Sequence, residues 1–130
     1  MARAYTIATA ALTLEIPVKW LDNTLSHIKI AGVRQEKQGV ARRITIEGLL
    51  VLSIAALLIN ELGLSLSRAA RMAETLASNN GVYASPGGVG IQLDLEGLRF
   101  KLLKRLEHAV EVAPIPKRGR PPKNKTGRLD

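Results

Sequence analysis

The sequence predicts a mainly α-helical fold with small β-hairpins, and three observations carry that expectation. Apolar residues recur at helical spacing in five stretches, glycines and prolines fall where those stretches end, and two short alternating runs are bracketed by turn residues. A chain of 130 residues holds one folded domain at most, with a modest core and a tail.

Residues 5–14 are rich in Ala and Leu with Thr6 at the N-cap position, which predicts a short helix. Glu15-Ile16-Pro17 breaks it, and because Pro is tolerated in a first helical turn a second helix is expected from Pro17 to about Ile28. Val18, Leu21 and Leu25 would form its apolar face, with Trp20 expected as core or staple. Two short helices joined by a tight turn are the outline of a helix-turn-helix. After Gly32, residues 33–37 and 40–46 alternate around Gln38-Gly39 and predict a hairpin. That hairpin carries Arg34, Lys37, Arg42 and Arg43 against the single acid Glu36, so directly after a helix-turn-helix it is expected to form a wing.

A longer helix is expected from Thr45 or Glu47 to about Leu62, apolar nearly all round and therefore core or interface. Gly63 ends it, and Ser65 can cap a helix over 66–76 with Leu66, Ala69, Ala70 and Ala73 inward. A second hairpin follows, with strands at 82–84 and 89–95 around Ser85-Pro86-Gly87-Gly88. The last helix, 96–112, aligns Leu98, Leu102, Leu106 and Val110 on one face before Ala113-Pro114-Ile115-Pro116 stops structure. This divides the chain into a helix-turn-helix with wing (1–76), a hairpin-plus-helix extension for dimerisation or packing (77–113), and a flexible basic tail (114–130).

The net charge of +8 is uneven: residues 1–46 sum to +4, residues 47–116 to −1 and residues 117–130 to +5. Two basic ends around a neutral, apolar middle suit a chain whose ends meet a polyanion while the middle packs or dimerises. The absence of Cys removes disulfides, thiolate metal sites and a cysteine nucleophile. Residues 1–5 read as mature sequence, and the apolar run 49–59 is too short to span a bilayer, so no membrane association is expected. His27 and His108 stand alone, Gly87-Gly88-Val89-Gly90 lacks the Lys-Ser/Thr of a phosphate loop, and the acids are scattered. Neither catalysis nor a metal or other cofactor is expected.

The tail holds the sharpest motif. In Lys117-Arg118-Gly119-Arg120-Pro121-Pro122-Lys123, glycine lets the backbone approach a narrow groove while prolines keep the flanks extended. Arg118 and Arg120 can then splay along the groove floor, and A·T-rich DNA has such a groove, narrow and strongly negative. Arg118-Gly119-Arg120-Pro121 with these flanks resembles an AT-hook, which implies minor-groove contacts from Lys117, Arg118, Gly119, Arg120, Pro121 and Lys123. A plain solvated basic tail is the alternative reading.

Upstream, Lys19, Asn23 and Ser26 are expected to share the side of their helix away from Val18 and Leu21, and Asn can read adenine whereas Lys supplies charge. These three are the base- or phosphate-contact candidates, and Arg34, Lys37, Arg42 and Arg43 are the phosphate or minor-groove candidates. The segments Tyr5-Thr6-Ile7, Ala10-Ala11-Leu12, Pro17-Val18-Lys19-Trp20-Leu21, Arg42-Arg43-Ile44-Thr45 and Leu62-Gly63-Leu64-Ser65-Leu66 together resemble the winged helix-turn-helix DNA-binding domain of the MerR family. That likeness covers roughly residues 5–76 and implies a major-groove helix at 17–27, a backbone-gripping wing at 33–46 and a homodimer. Family members usually carry arginine where Asp22 falls. A carboxylate facing phosphate is repulsive, so Asp22 is expected to pair with Lys19 or Lys29, to accept from a cytosine amine, or to point away.

These features lead to the expectation of a small transcriptional regulator, cytoplasmic and nucleoid-associated (nuclear in a eukaryote), binding A·T-rich double-stranded DNA. Two other readings fit the same residues: an architectural factor of the nucleoid or of excision and recombination, and an adaptor tethering a partner protein to DNA.

Overall fold

The computed structural model describes residues 4–35 and 42–112, and these are mainly helical. The chain opens with a two-residue strand, β1 (Ala4–Tyr5), and enters α1 (Ile7–Leu14) through Thr6, whose hydroxyl accepts the Thr9 N–H at 3.1 Å. α1 closes on Glu15 in a left-handed conformation, with the Ile16 N–H reaching back to the Ala11 carbonyl at 3.0 Å. Pro17 then stands at the cap of α2 (Val18–His27). Among the described residues the first hairpin comprises β2 (Val33–Arg34) and β3 (Arg43–Thr45).

β1, which the sequence reading assigned to the first helix or before it, pairs with β3 instead. The result is a three-stranded antiparallel sheet in the order β1-β3-β2, with Tyr5 and Val33 both opposite Ile44 and Arg34 opposite Arg43. Ile44 is fully buried, so this face of the sheet seals onto the core and the alternate face carries the two arginines outward.

Thr45 ends β3 and caps α3 (Ile46–Leu62), its hydroxyl accepting the Gly48 N–H at 3.2 Å. α3 is the central helix: Leu49, Leu50, Val51, Leu52, Ile54, Ala55 and Leu58 are all buried, which explains an apolar pattern with no polar side. Gly63 stops it at φ +69°, and Ser65 caps α4 (Leu66–Ser78). Ala69, Ala70 and Ala73 are buried and small, so α4 lies close along α3, its most extensive neighbour. Each large aliphatic side chain fully withdrawn from water contributes about 1.5–3 kcal/mol, and Leu21, Ile44, Leu49, Ile54 and Leu76 all qualify.

The second hairpin, β4 (Val82–Ala84) and β5 (Gly90–Gln92), is shorter than expected. The alternation predicts a second strand running through Leu95, but Asp94 accepts the Gly97 N–H at 3.1 Å and caps α5 (Leu95–Val112), which starts four residues after Ile91. Leu95 therefore belongs to the helix. α5 packs chiefly on α1, and Leu95, Leu102, Leu106 and Ala109 are its buried residues. Val110, expected on that face, is 46% exposed, because 3.6-residue phasing brings Ala109 inward in its place.

Two further expectations fail on α2. Val18 is exposed and Trp20 is 39% exposed, so neither belongs to the core; Thr24 joins Leu21 and Leu25 in the buried stripe. Trp20 lies two positions from Asp22 on a helix whose inward side is already filled, and its ring stays at the surface.

Candidate nucleic-acid interface

α2 and the first hairpin are held in register by the chain between them. Ile30 is buried, and the Ala31 N–H donates to Glu74 Oε2 of α4 at 3.0 Å. Gly32, at φ +90°, turns the chain into β2, and its carbonyl accepts the Thr45 N–H at 2.8 Å. A Cβ at Gly32 would sit 2.5 Å from the Gly48 nitrogen, so the turn lies directly on the first turn of α3. The hairpin root is therefore fastened to α3 and α4, and α2 is fastened to the core by Leu21 and Leu25.

On α2 the spacing 19, 22/23, 26 places Lys19, Asn23 and Ser26 on one outward side, all exposed. The Ser26 hydroxyl donates to the Asp22 carbonyl at 2.8 Å, leaving its lone pairs outward. His27 Nδ1–H donates to the Asn23 carbonyl at 2.8 Å, so its ring is held along the helix end. Asp22 pairs with neither Lys19 nor Lys29. Its Oδ1 accepts from Arg42 Nη1 at 3.2 Å, with the Arg42 side chain 22% exposed and that of Asp22 59%.

This ion pair joins the edge of the outward α2 face to the end of β3 that lies away from the hairpin root. Beside it Arg34 and Arg43 face each other across the strands, both exposed, and neither forms an ion pair with a described carboxylate. Like charges directly opposite on a ladder destabilise it unless a counter-charge arrives. Lys19, Asn23 and Ser26 are thus exposed on one side of α2, and Arg34 and Arg43 on the sheet, with the Asp22–Arg42 pair tying the two elements together and neutralising Arg42.

Lys37 and the six hook positions, Lys117, Arg118, Gly119, Arg120, Pro121 and Lys123, lie outside the described residues. Asp22 was singled out in the sequence only as a conflict; that it would meet Arg42, 20 positions away, has no local signal. An apolar depression of about 240 Å³ between α3 and α4 is below the usual size of a small-molecule site, and Glu74 on its rim is engaged by the Ala31 N–H. Among the described residues no group of three His, Cys, Asp or Glu is placed to hold a metal ion, and no helix is long and apolar enough to cross a membrane. The chain matches no protein-family model and no curated protein.

Proposed function

We propose that this chain is a double-stranded-DNA-binding protein, a small transcriptional regulator. In this reading it presents a winged helix-turn-helix of MerR type and adds an AT-hook for A·T-rich minor groove. The observation that carries the reading is the opposed pair Arg34 and Arg43 on a hairpin that Arg42 ties to α2 through Asp22. An uncompensated cross-strand pair of arginines, on a hairpin tied to the helix that exposes Lys19 and Asn23, is a surface that a row of phosphates neutralises.

α2 supplies the groove-facing helix, with Asn23 suited to adenine and Lys19 to phosphate or guanine. Arg34 and Arg43 grip the backbone alongside. Arg118 and Arg120, tethered to the same chain, raise the local concentration of a second contact, so a weak hook still tightens the whole. A homodimer completes the reading, and the exposed line Phe100, Leu103 and Val110 on α5 is apolar surface that a second copy would bury.

The test is a salt titration of binding to a labelled A·T-rich duplex, comparing the intact chain with the double variant Arg118→Ala/Arg120→Ala. Each phosphate contact contributes about 0.9 to the slope of log K against log salt, so loss of two should flatten it by roughly 1.8. An unchanged slope would remove the hook from the reading, and no binding by either protein would remove DNA altogether. Footprinting separates a regulator, which protects a discrete site, from an architectural factor, which gives broad A·T-biased protection.

A further inference from the structure

We infer that Asp22 is a positioning residue that withholds Arg42 from phosphate, so that this basic surface attracts duplex DNA less strongly than its arginines alone would allow. The inference rests on the DNA-binding reading above and concerns how that interface is restrained.

The geometry begins with exposure. Asp22 is the more exposed partner, at 59%, whereas Arg42 is 22% exposed and lies against the body of the protein. The guanidinium is held at 3.2 Å by a carboxylate that α2 presents outward, so its charge-assisted hydrogen bonding is already engaged. The neighbouring cations differ. Arg34 and Arg43 are exposed and have no described acid, and Lys19 has none.

Charge follows from geometry. An Arg–Asp pair at 3.2 Å contributes almost nothing to the distant attraction of a polyanion, so the hairpin acts with one fewer cation than its arginine count. Position follows as well. The pair runs from the middle of α2 to the residue before β3, so it ties the helix to the hairpin at the end of the ladder away from its root. A phosphate that captured Arg42 would leave Asp22 unpaired and facing the same phosphate. Asp22 therefore opposes binding in any register that seats a phosphate beside Arg42, and tolerates registers that leave the pair in solvent. The carboxylate that looked like a defect in a groove-facing helix acts as a filter on how the helix docks.

The experiment uses the full chain as wild type, Asp22→Asn, Asp22→Glu, Arg42→Gln and the double variant Asp22→Asn/Arg42→Gln. Affinity for one A·T-rich and one G·C-rich labelled duplex is measured by fluorescence anisotropy across a salt series, with thermal melting alongside. Freeing one cation for phosphate should steepen the log–log slope of Asp22→Asn by about 0.9 and tighten binding to both duplexes about eightfold at 0.1 M salt. Asp22→Glu restores the carboxylate and should keep the wild-type slope. Arg42→Gln leaves an unpaired acid and should weaken binding to both duplexes, while the double variant, with wild-type net charge, should regain the wild-type slope. A purely structural Asp22 would instead lower the melting temperature and the affinity of Asp22→Asn without changing its slope, and that result overturns the inference. Wild-type binding with an Asp22→Asn slope equal to wild type overturns it too. Absence of duplex binding by every variant at low salt overturns the DNA reading itself, and this outcome is distinct from the other two.

Discussion

Gly32→Ala should be among the most damaging single-methyl changes available to this protein, and its cost can be worked from two separate sources. Gly32 sits at φ +90°, a region that costs an L residue about 1–2 kcal/mol. Its new Cβ would also lie 2.5 Å from the Gly48 nitrogen, 2.6 Å from Thr45 Oγ1 and 2.7 Å from the Gly48 Cα. Two of those three atoms are backbone in the first turn of α3, so the overlap is relieved only by moving the hairpin root, at about 1–3 kcal/mol. The combined loss is about 2–5 kcal/mol, against a total stability of about 5–15 kcal/mol for a domain of this kind. Gly63→Ala provides the control, since it shares a positive φ of +69° but its Cβ would meet nothing within 4 Å. It should cost only about 1 kcal/mol. Urea and thermal unfolding followed by far-UV circular dichroism should place Gly32→Ala roughly 10–20 °C below wild type and Gly63→Ala only a few degrees below. Equal losses for the two variants would refute the claim that the turn at Gly32 is pressed against α3.

Three other outcomes follow from the same packing. Leu21→Ala empties a fully buried position where α2 meets the core and should cost about 2–5 kcal/mol, read from the urea midpoint at constant m-value. Thr45→Ala removes the hydroxyl that accepts the Gly48 N–H and should destabilise by about 1 kcal/mol, with Thr45→Ser recovering most of the loss in the same melts. Glu15→Gly relieves a left-handed glutamate at φ 59° at the expense of an exposed 3.8 Å pair with Arg105, and a small gain of about 0.5 kcal/mol is expected by calorimetry.

The helix boundaries were legible because their signals are local. Thr6, Thr45 and Ser65 each cap the helix that their position announces, and Pro17 and Gly63 punctuate as their ring and missing side chain require. What escaped is non-local. β1 is two residues long, too short for any period, and exists only because β3 offers it an edge at Ile44 and Thr45. The alternation Ile91, Leu93, Leu95 looked like one strand, yet Asp94 supplies a helix cap inside it, and capping outweighs a period-two pattern at its end. In the candidate interface, helical spacing sufficed to group Lys19, Asn23 and Ser26. The pairing of Asp22 with Arg42, and of Arg34 with Arg43 across the ladder, depends on how the hairpin closes and on where the core holds α2.

Trp20 is the single tryptophan of the chain, and α2 leaves its indole 39% exposed beside Lys19 on the helix proposed to enter DNA. The protein thus carries its own optical reporter at that helix: excited at the long-wavelength edge, where Tyr5 and Tyr83 do not absorb, the emission comes from one indole alone. Quenching by a small neutral agent reads the solvent access of α2 directly. Protection from that quencher on adding duplex would locate the contact at α2, whereas binding carried by the tail alone would leave the indole as open as before.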